Sequence, residues 1–340
     1  MIKKILYIFA LFLILAGAAV GVVAYSFLSR SFDISEDTYL YIYPDDDIEK
    51  VSANLVELAH PKTPLDFKTL TKIAKKENSM KAGRYKISSD MNMLTLIRNI
   101  SNHRQEPLNI VVPSTRTVNE LIGRISKDLL VDSLTLVQLI EDSAYCASLG
   151  YTKETIPVLF VPNTYQVYWD TEPENLLKRM QKEHDDFWNE DRLAKAKALG
   201  LTPDEVVALA SIVDSETANN KEKPRVAGLY LNRLASEMPL QSDPTVIFAL
   251  GDFSIRRVMH DHLQVESPYN TYLNTGLPPG PIRIASIAAI DAVLNHESHD
   301  YLYMCAKEDF SGTHNFAVTY KEHMNNAKRY AKELNKRGIR

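Results

Sequence analysis

The chain has 340 residues, of which 45% are hydrophobic and 24% charged, and its formal net charge is −4 at pH 7. The first thirty residues contain three basic and no acidic side chains, so the remainder is acidic, with a formal charge of about −7. Nucleic-acid binding depends on neutralising phosphates with Lys and Arg, so no nucleic-acid partner is expected. The two cysteines, Cys146 and Cys305, allow one disulfide at most and form no metal motif.

An uncharged apolar segment, residues 5–28, lies near the N-terminus. As a helix it would extend about 36 Å, enough to cross a bilayer with some tilt. Small residues at 16–19 would also suit a cleaved signal peptide, but the apolar run continues beyond a usual signal region. Lys3 and Lys4 precede the segment and only Arg30 follows it closely. The positive-inside tendency therefore predicts an uncleaved single-pass anchor with a cytoplasmic N-terminus and the rest of the chain outside.

Beyond the anchor about 310 residues remain, which suits two packed domains. The first region mixes alternating and helical apolar patterns separated by turns. Its predicted strands are 39–43 and 83–87, and its predicted helices are 48–58, 65–75 and 94–100. A further strand at 108–112 and a helix after residue 117 begin the second region. These patterns predict an α+β fold that starts with a small unit of strands enclosing helices.

The most informative pattern is a helix that ends near Glu216. Thr202 supplies a capping hydroxyl, Pro203 suits the first turn, and Glu205 can reach back to the cap. Apolar residues then recur at helical intervals, at Val206, Leu209, Ile212 and Val213. Glu216 falls on this apolar stripe, whereas Asp214 falls on the opposite side, toward solvent or an outer layer of the site.

Glu216 is therefore a candidate proton donor. A carboxyl group that loses its hydration resists ionising, so its pKa rises and it can act as an acid near neutral pH. The alternative is a structural ion pair between Glu216 and a basic side chain such as Arg225 or Arg233, because ion pairs also perturb acids.

Three other segments concentrate polar or aromatic residues. One places Gln241, Ser242, Asp243 and Thr245 around Pro244, and another combines Asn270, Thr271 and Tyr272 with a run of Gly and Pro that ends at Pro281. Gly and Pro impose a rigid irregular path, and such loops can hold polar groups around a cleft; plain connection is the alternative. The third segment contains Tyr165, Tyr168 and Trp169. Their aromatic rings could pack against a bound sugar ring or inside the apolar core.

Metal and nucleophile motifs are absent from the sequence. The closely spaced histidines, His260 with His262 and His296 with His299, do not form an HExxH arrangement. No GxSxG motif occurs, and Ser211 lies inside the apolar helix. The sequence therefore predicts no metal site and no cofactor.

The motifs together resemble those of the YceG-like endolytic murein transglycosylases. The resemblance rests on an order of segments that covers nearly all of the chain beyond the anchor: AGRYKI, PNTY, ASIVDSET, RVAGLYLNRL, LQSDPTV, YNTYLNTGLPPGPI and THNF. Many members of this family have Glu where this chain has Asp214, whereas the second acid of the motif is present as Glu216. That departure favours Glu216 as the essential group and leaves the role of Asp214 open.

The resemblance implies a lyase of the cell envelope that cuts nascent peptidoglycan between N-acetylmuramic acid and N-acetylglucosamine and ends strand elongation. It implies a cytoplasmic tail at 1–4, a transmembrane helix at 5–28, a LysM-like subdomain at 36–107 and a catalytic domain at 108–340. The expected location is the inner membrane, and peptidoglycan synthases are expected partners. Glu216 would be catalytic, and the substrate-binding residues would be Gln241, Ser242, Asp243, Thr245, Asn270, Thr271, Tyr272, His314 and Tyr165.

Three other functions stay open at this point. A hydrolytic muramidase would use the same acid but consume water. A noncatalytic anchored glycan-binding protein would function through its LysM-like unit. An exported metallohydrolase would be sensitive to chelators.

Overall fold

The structure, a computed structural model, describes residues 2–338 and mixes helices with short strands. The chain divides into two compact units. The first contains the residues up to 109 together with 166–171, and the second contains 110–165 and the described residues from 172 onward. Each unit encloses its own apolar core.

The chain begins with helix α1, Ile2–Leu28, which carries most of its large apolar side chains exposed. It is the one helix among residues 2–338 that is long and apolar enough to cross a membrane, with a mean hydropathy of 2.7. These properties are compatible with a single-pass membrane anchor, as the sequence predicts.

The first unit continues with β1 (Thr38–Ile42), α2 (Ile48–Ala59), α3 (Phe67–Ile73), β2 (Gly83–Ile87) and α4 (Met93–Ser101). Strands β1 and β2 are antiparallel, with Leu40 opposite Tyr85. Asp47, the last of three consecutive aspartates, caps α2 by accepting a hydrogen bond from the Lys50 amide at 2.8 Å, a favoured role for Asp at the start of a helix. All five elements of this unit were predicted to within about two residues, the usual uncertainty of such boundaries.

The predicted aromatic cluster does not stay together. Trp169 is buried in the first unit, where it packs edge-on against Tyr41 and Tyr43 with ring centroids 5.1 and 4.9 Å apart. Tyr168, the preceding residue, is 52% exposed. Tyr165 is buried, and its hydroxyl donates to the Val161 carbonyl at 2.6 Å. Trp169 and Tyr165 are therefore core residues, as the alternative interpretation expected.

The rest of the chain is mainly helical. Its strands are β3 (Leu108–Val112), β4 (Asn163–Val167), β5 (Tyr303–Ala306) and β6 (His314–Ala317). β3 forms a two-stranded sheet with β4, and β5 forms another with β6. The α-helices are α5 (Val118–Ile125), α6 (Ser133–Glu141), α7 (Ser143–Ser148), α8 (Pro173–Phe187), α9 (Glu190–Ala198), α10 (Pro203–Glu216), α11 (Lys223–Ala235), α12 (Asp243–Leu250), α13 (Ile287–Leu294) and α14 (Tyr320–Lys336). Short 3₁₀ turns occupy 126–128, 156–159 and 262–264.

Helix α10 forms the centre of the second unit. Its predicted capping box is confirmed, since the Glu205 amide donates to the Thr202 hydroxyl at 3.3 Å and the Thr202 amide donates to the Glu205 carboxylate at 2.7 Å. Every residue from Val206 to Val213 is buried, because α11, α12 and α13 all pack around the helix. The helix is thus enclosed on all sides rather than along one stripe.

Candidate active site

Glu216 is the last residue of α10, where the buried helix reaches a cavity. Its Oε1 accepts two hydrogen bonds, from the Tyr230 hydroxyl of α11 at 2.7 Å and from the Ser242 hydroxyl at 2.5 Å. The side chain is partly exposed and lines a cavity of about 250 Å³. The carboxyl group is therefore held in place on one side and accessible on the other.

The surroundings of Glu216 favour its protonated form. Burial raises the pKa of this carboxyl above its usual value, and the nearby Asp243 adds to the rise. The hydrogen bonds from Ser242 and Tyr230 and the nearby His314 ring act in the opposite direction without cancelling the effect of burial. Burial also raises the pKa of Tyr230 well above its usual range, so this phenol remains a donor to Glu216.

Four of the predicted binding residues line the same cavity: Gln241, Asp243, Tyr272 and His314. The Tyr272 hydroxyl donates to Asp243 Oδ1 at 2.6 Å, so this carboxylate has a fixed orientation. Burial and the bond to Asp243 raise the pKa of Tyr272, which keeps its proton. The backbone of Gln241 is in the left-handed region, with φ at 49°. Its backbone N–H donates to the Thr271 carbonyl at 3.1 Å.

Three other predicted residues lie behind the cavity rather than on its surface. The hydroxyls of Thr245 and Thr271 are 2.8 Å apart and fully buried, and Thr245 donates to the Ser242 carbonyl at 2.7 Å while Thr271 accepts from the Ser242 amide at 3.0 Å. The side-chain amide of the buried Asn270 donates to the backbone carbonyls of Leu263 and Val265 in the preceding loop, at 2.9 Å each. This network fixes the backbone that presents Ser242 to Glu216.

Tyr165 does not line the cavity. Burial raises the pKa of its phenol to about 12, and the bond to Val161 already occupies the hydroxyl. A residue in this position stabilises the unit that carries the site and has no free group to offer a ligand.

Glu222, which no motif of the sequence singles out, holds His314. Glu222 accepts from the His314 amide at 2.8 Å and lies 2.9 Å from His314 Nδ1, and the Thr217 hydroxyl donates to the same carboxylate at 3.0 Å. With Nδ1–H directed to Glu222, the other ring nitrogen, Nε2, is left for the cavity. The two residues are 92 positions apart, so no local pattern could have connected them.

The alternative of a structural ion pair at Glu216 does not fit the structure. Arg225 pairs with Glu297 at 3.0 Å. Arg233 donates to the carbonyls of Leu240 at 2.8 Å and Leu302 at 2.7 Å. Neither guanidinium binds Glu216, whose hydrogen-bond partners are both neutral hydroxyls.

Of the two positions predicted for Asp214, solvent and an outer layer of the site, the structure rules out solvent. Its side chain is 6% exposed, pairs with Lys223 at 2.6 Å, and accepts from the Ser286 amide and hydroxyl at 3.0 and 2.9 Å. Burial alone would raise the pKa of Asp214, but Lys223, Ser286 and Arg283 outweigh it and lower the pKa. The opposite side of α10 is buried as well, so Asp214 is an ionised structural anchor.

A carboxyl group of raised pKa, held by neutral donors at the rim of a cavity lined by polar side chains, has the properties that a general acid–base group needs. Sequence comparison identifies the class of protein that carries it. The sequence model of the YceG-like family matches residues 40–329, so the chain belongs to the YceG-like family.

Named relatives are consistent with this membership. The chain is 35% identical over 168 residues to the endolytic murein transglycosylase of Bacillus subtilis, a match that covers 49% of this chain and 46% of the relative. It is 26% identical over 341 aligned positions to the protein of the same name from Streptococcus pneumoniae, covering 90% of this chain and 61% of the relative. The chain thus spans about half to three fifths of the length of these relatives.

A solved structure of a yceG-like protein from Listeria monocytogenes has a similar fold. The TM-score is 0.57 at 27% identity, and the match covers 86% of this chain and 99% of that one.

Proposed function

We propose that this protein is an endolytic murein transglycosylase, which cuts peptidoglycan strands between N-acetylmuramic acid and N-acetylglucosamine and so ends their elongation. The observation that carries the proposal is the Glu216 carboxyl group. Burial raises its pKa, and it lines a cavity of about 250 Å³ together with several polar side chains. The names of the relatives from two bacteria support the same activity.

In the first step, protonated Glu216 donates its proton to the glycosidic oxygen as the bond to the muramic C1 breaks. Positive charge develops at C1, and the substrate's own acetamido oxygen shields it, as in substrate-assisted glycoside cleavage. Ser242 and Tyr230 then stabilise the carboxylate that Glu216 has become, because both donate to Oε1.

In the second step, ionised Glu216 removes the proton of the muramic C6 hydroxyl, whose oxygen closes onto C1. The product is a 1,6-anhydro sugar and no water is consumed. One carboxyl group thus acts first as acid and then as base, which makes the enzyme a lyase and requires no cofactor.

The remaining site residues have two kinds of role in this proposal. Gln241, Asp243, Tyr272 and His314 line the cavity and contact the glycan, with His314 oriented by Glu222. Thr245, Asn270 and Thr271 act as positioning residues through Ser242 and its loop. Tyr165 belongs to the packing of the second unit and has no contact role.

We also infer that α1 anchors the enzyme in the inner membrane, with the N-terminus in the cytoplasm and the chain beyond residue 30 outside. Lys3 and Lys4 before the apolar segment support this orientation. In the first unit, α2 and α3 lie between β1 and β2 in the sequence, and the two strands pair antiparallel. This arrangement supports a LysM-like role in glycan binding. Synthases that make the strands are the expected protein partners.

Product analysis on uncrosslinked glycan strands tests the proposal. Mass spectrometry should find new strand ends that carry 1,6-anhydro-muramic acid. Ends heavier by one water would identify a hydrolytic muramidase instead, and binding without cleavage would identify a noncatalytic glycan-binding protein. Loss of cleavage with a chelator would point to a metallohydrolase.

A further inference from the structure

A second hollow lies next to the proposed active site. It has a volume of about 190 Å³, and its walls include Arg116, Ser215, Pro244, Phe253 and Arg283. Ser215 directly precedes Glu216, and Pro244 directly follows Asp243, which both line the first cavity. Consecutive Cα atoms are about 3.8 Å apart, so the end of α10 and the start of α12 border both hollows. The two hollows therefore adjoin at these two points of the chain.

The second hollow carries an excess of positive charge. The Arg283 guanidinium lies 3.6 Å from Asp214 and donates to the Asp214 carbonyl at 3.2 Å. The same carboxylate already pairs with Lys223 at 2.6 Å, so two cations share one anion.

Arg116 adds a further cation. Its guanidinium donates to the Phe253 carbonyl at 3.2 Å, which satisfies only one of its five N–H groups. None of the described residues that line this hollow is acidic. The charge of the described residues around it therefore favours an anionic ligand.

The other walls of the hollow are apolar. Ile247, Phe248, Phe253 and Ile255 lie beside the two arginines. This combination suits a ligand with a carboxylate and small apolar groups, because guanidinium groups match carboxylates in bidentate geometry. A neighbouring hollow of about 260 Å³ shares Arg116, Phe248 and Arg283, but Glu141 and Glu154 also line it. These two acids would repel a ligand carboxylate, so the hollow of about 190 Å³ suits such a ligand better.

We propose that this hollow binds a carboxylate of the peptide stem that muramic acid carries. The inference rests on the proposed function, since it takes the glycan in the first cavity to be peptidoglycan. Muramic acid differs from glucosamine by a lactyl group, and the stem attached there presents carboxylates and small apolar side chains. Arg116 binds the stem carboxylate, Arg283 supports it, and the site selects strands that still carry stems.

The test compares two substrates that differ only in the stem: intact uncrosslinked strands and strands from which an amidase has removed the peptides. For full-length protein in detergent, Arg116→Gln should lower kcat/KM on stem-bearing strands by about 10-fold or more, the loss expected for a hydrogen bond to a charged group. The loss should be confined to these strands. Arg124→Gln is the matched control, because Arg124 is exposed, pairs only with Glu120 one turn away, and does not line the hollow.

Binding measured in the Glu216→Gln background makes the test independent of turnover. Adding Arg116→Gln should weaken binding to stem-bearing strands and not to denuded strands. Equal effects of Arg116→Gln on both kinds of strand, or no effect on either, would overturn the stem site. Failure of the proposed function is a separate result, namely that the parent protein releases no anhydro ends from any strand.

Discussion

At the scale of single residues, the proton affinity of Glu216 is set by two opposing influences. Burial favours the neutral acid, whereas the hydroxyls of Tyr230 and Ser242 favour the carboxylate. The balance suits a group that must be protonated before the reaction and ionised in the middle of it. The two donors therefore limit how far the pKa rises.

Removing one donor should change the pH dependence in a defined direction. In Tyr230→Phe the carboxylate loses a hydrogen bond, so the pKa of Glu216 rises further and the acid stays protonated to higher pH. The alkaline limb of the kcat/KM profile should therefore move to higher pH. Tyr151→Phe is the control, since the Tyr151 hydroxyl contacts His184 rather than Glu216. A shift of the limb to lower pH would contradict the assignment of Glu216 as the acid.

Asp214 and Lys223 should contribute to stability rather than to chemistry. Lys223→Met leaves a buried carboxylate with one of its cations missing and should lower the free energy of unfolding by about 3 kcal/mol. Lys182→Met, which removes an exposed pair with Asp186 one helical turn away, should cost less than about 1 kcal/mol. Denaturant titration of the detergent-solubilised chain measures both. Equal small losses would show that the buried pair contributes little.

The pH dependence of this contribution follows from the lowered pKa of Asp214. Because the folded-state pKa lies below the unfolded value, the stabilisation is fully present above the unfolded pKa. It is lost as the pH falls through the folded pKa. Lys223→Met should therefore reduce the steepness with which stability declines in acid.

At the scale of elements, the sequence predicts where α10 begins and ends better than it predicts which sides of the helix are buried. The Thr202–Glu205 capping box is local chemistry and was recovered completely. The apolar stripe places Glu216 correctly, but the alternative that Asp214 faces solvent is wrong, because three other helices cover that side of α10. Periodicity describes one helix alone, whereas burial depends on all the helices that pack on it.

Helix α11 carries Tyr230 to the site through a close approach at Gly228. A Cβ added there would lie 2.4 Å from the Glu297 carbonyl oxygen, so Gly228→Ala should push the helix and that backbone apart. The expected cost is on the order of 2 kcal/mol, with a loss of activity as Tyr230 moves. Gly123→Ala is the control, because nothing lies within 4 Å of the added Cβ; it should be neutral or slightly stabilising. Similar behaviour of the two variants would disprove the packing constraint.

At the scale of the whole molecule, long-range pairings were beyond the sequence analysis. Glu222 meets His314 across 92 positions, and residues 166–171 return to the first unit. Neither the contact nor the return of this segment has a local signal in secondary-structure propensity or in hydrophobic periodicity. The polar loop residues were recognised as a group, but only the folded chain separates those on the cavity surface from those behind it.

The anchor gives a prediction for the intact protein. The full chain should fractionate with membranes, resist extraction by alkaline carbonate and dissolve in detergent, because α1 exposes a continuous apolar surface. Protease added outside spheroplasts should degrade the chain beyond residue 30. Protection of the chain beyond residue 30 until the cells are lysed would contradict the proposed orientation.

The proposed mechanism depends most on the exchangeable proton of Glu216. Substitution by Gln keeps the shape of the side chain and removes that proton, so release of anhydro-ended fragments from purified glycan strands should fall by about 10²- to 10⁴-fold, the usual contribution of general acid–base catalysis. Mass spectrometry of the products over time measures this directly. A Glu216→Gln protein that forms 1,6-anhydro ends at the parent rate would contradict the mechanism.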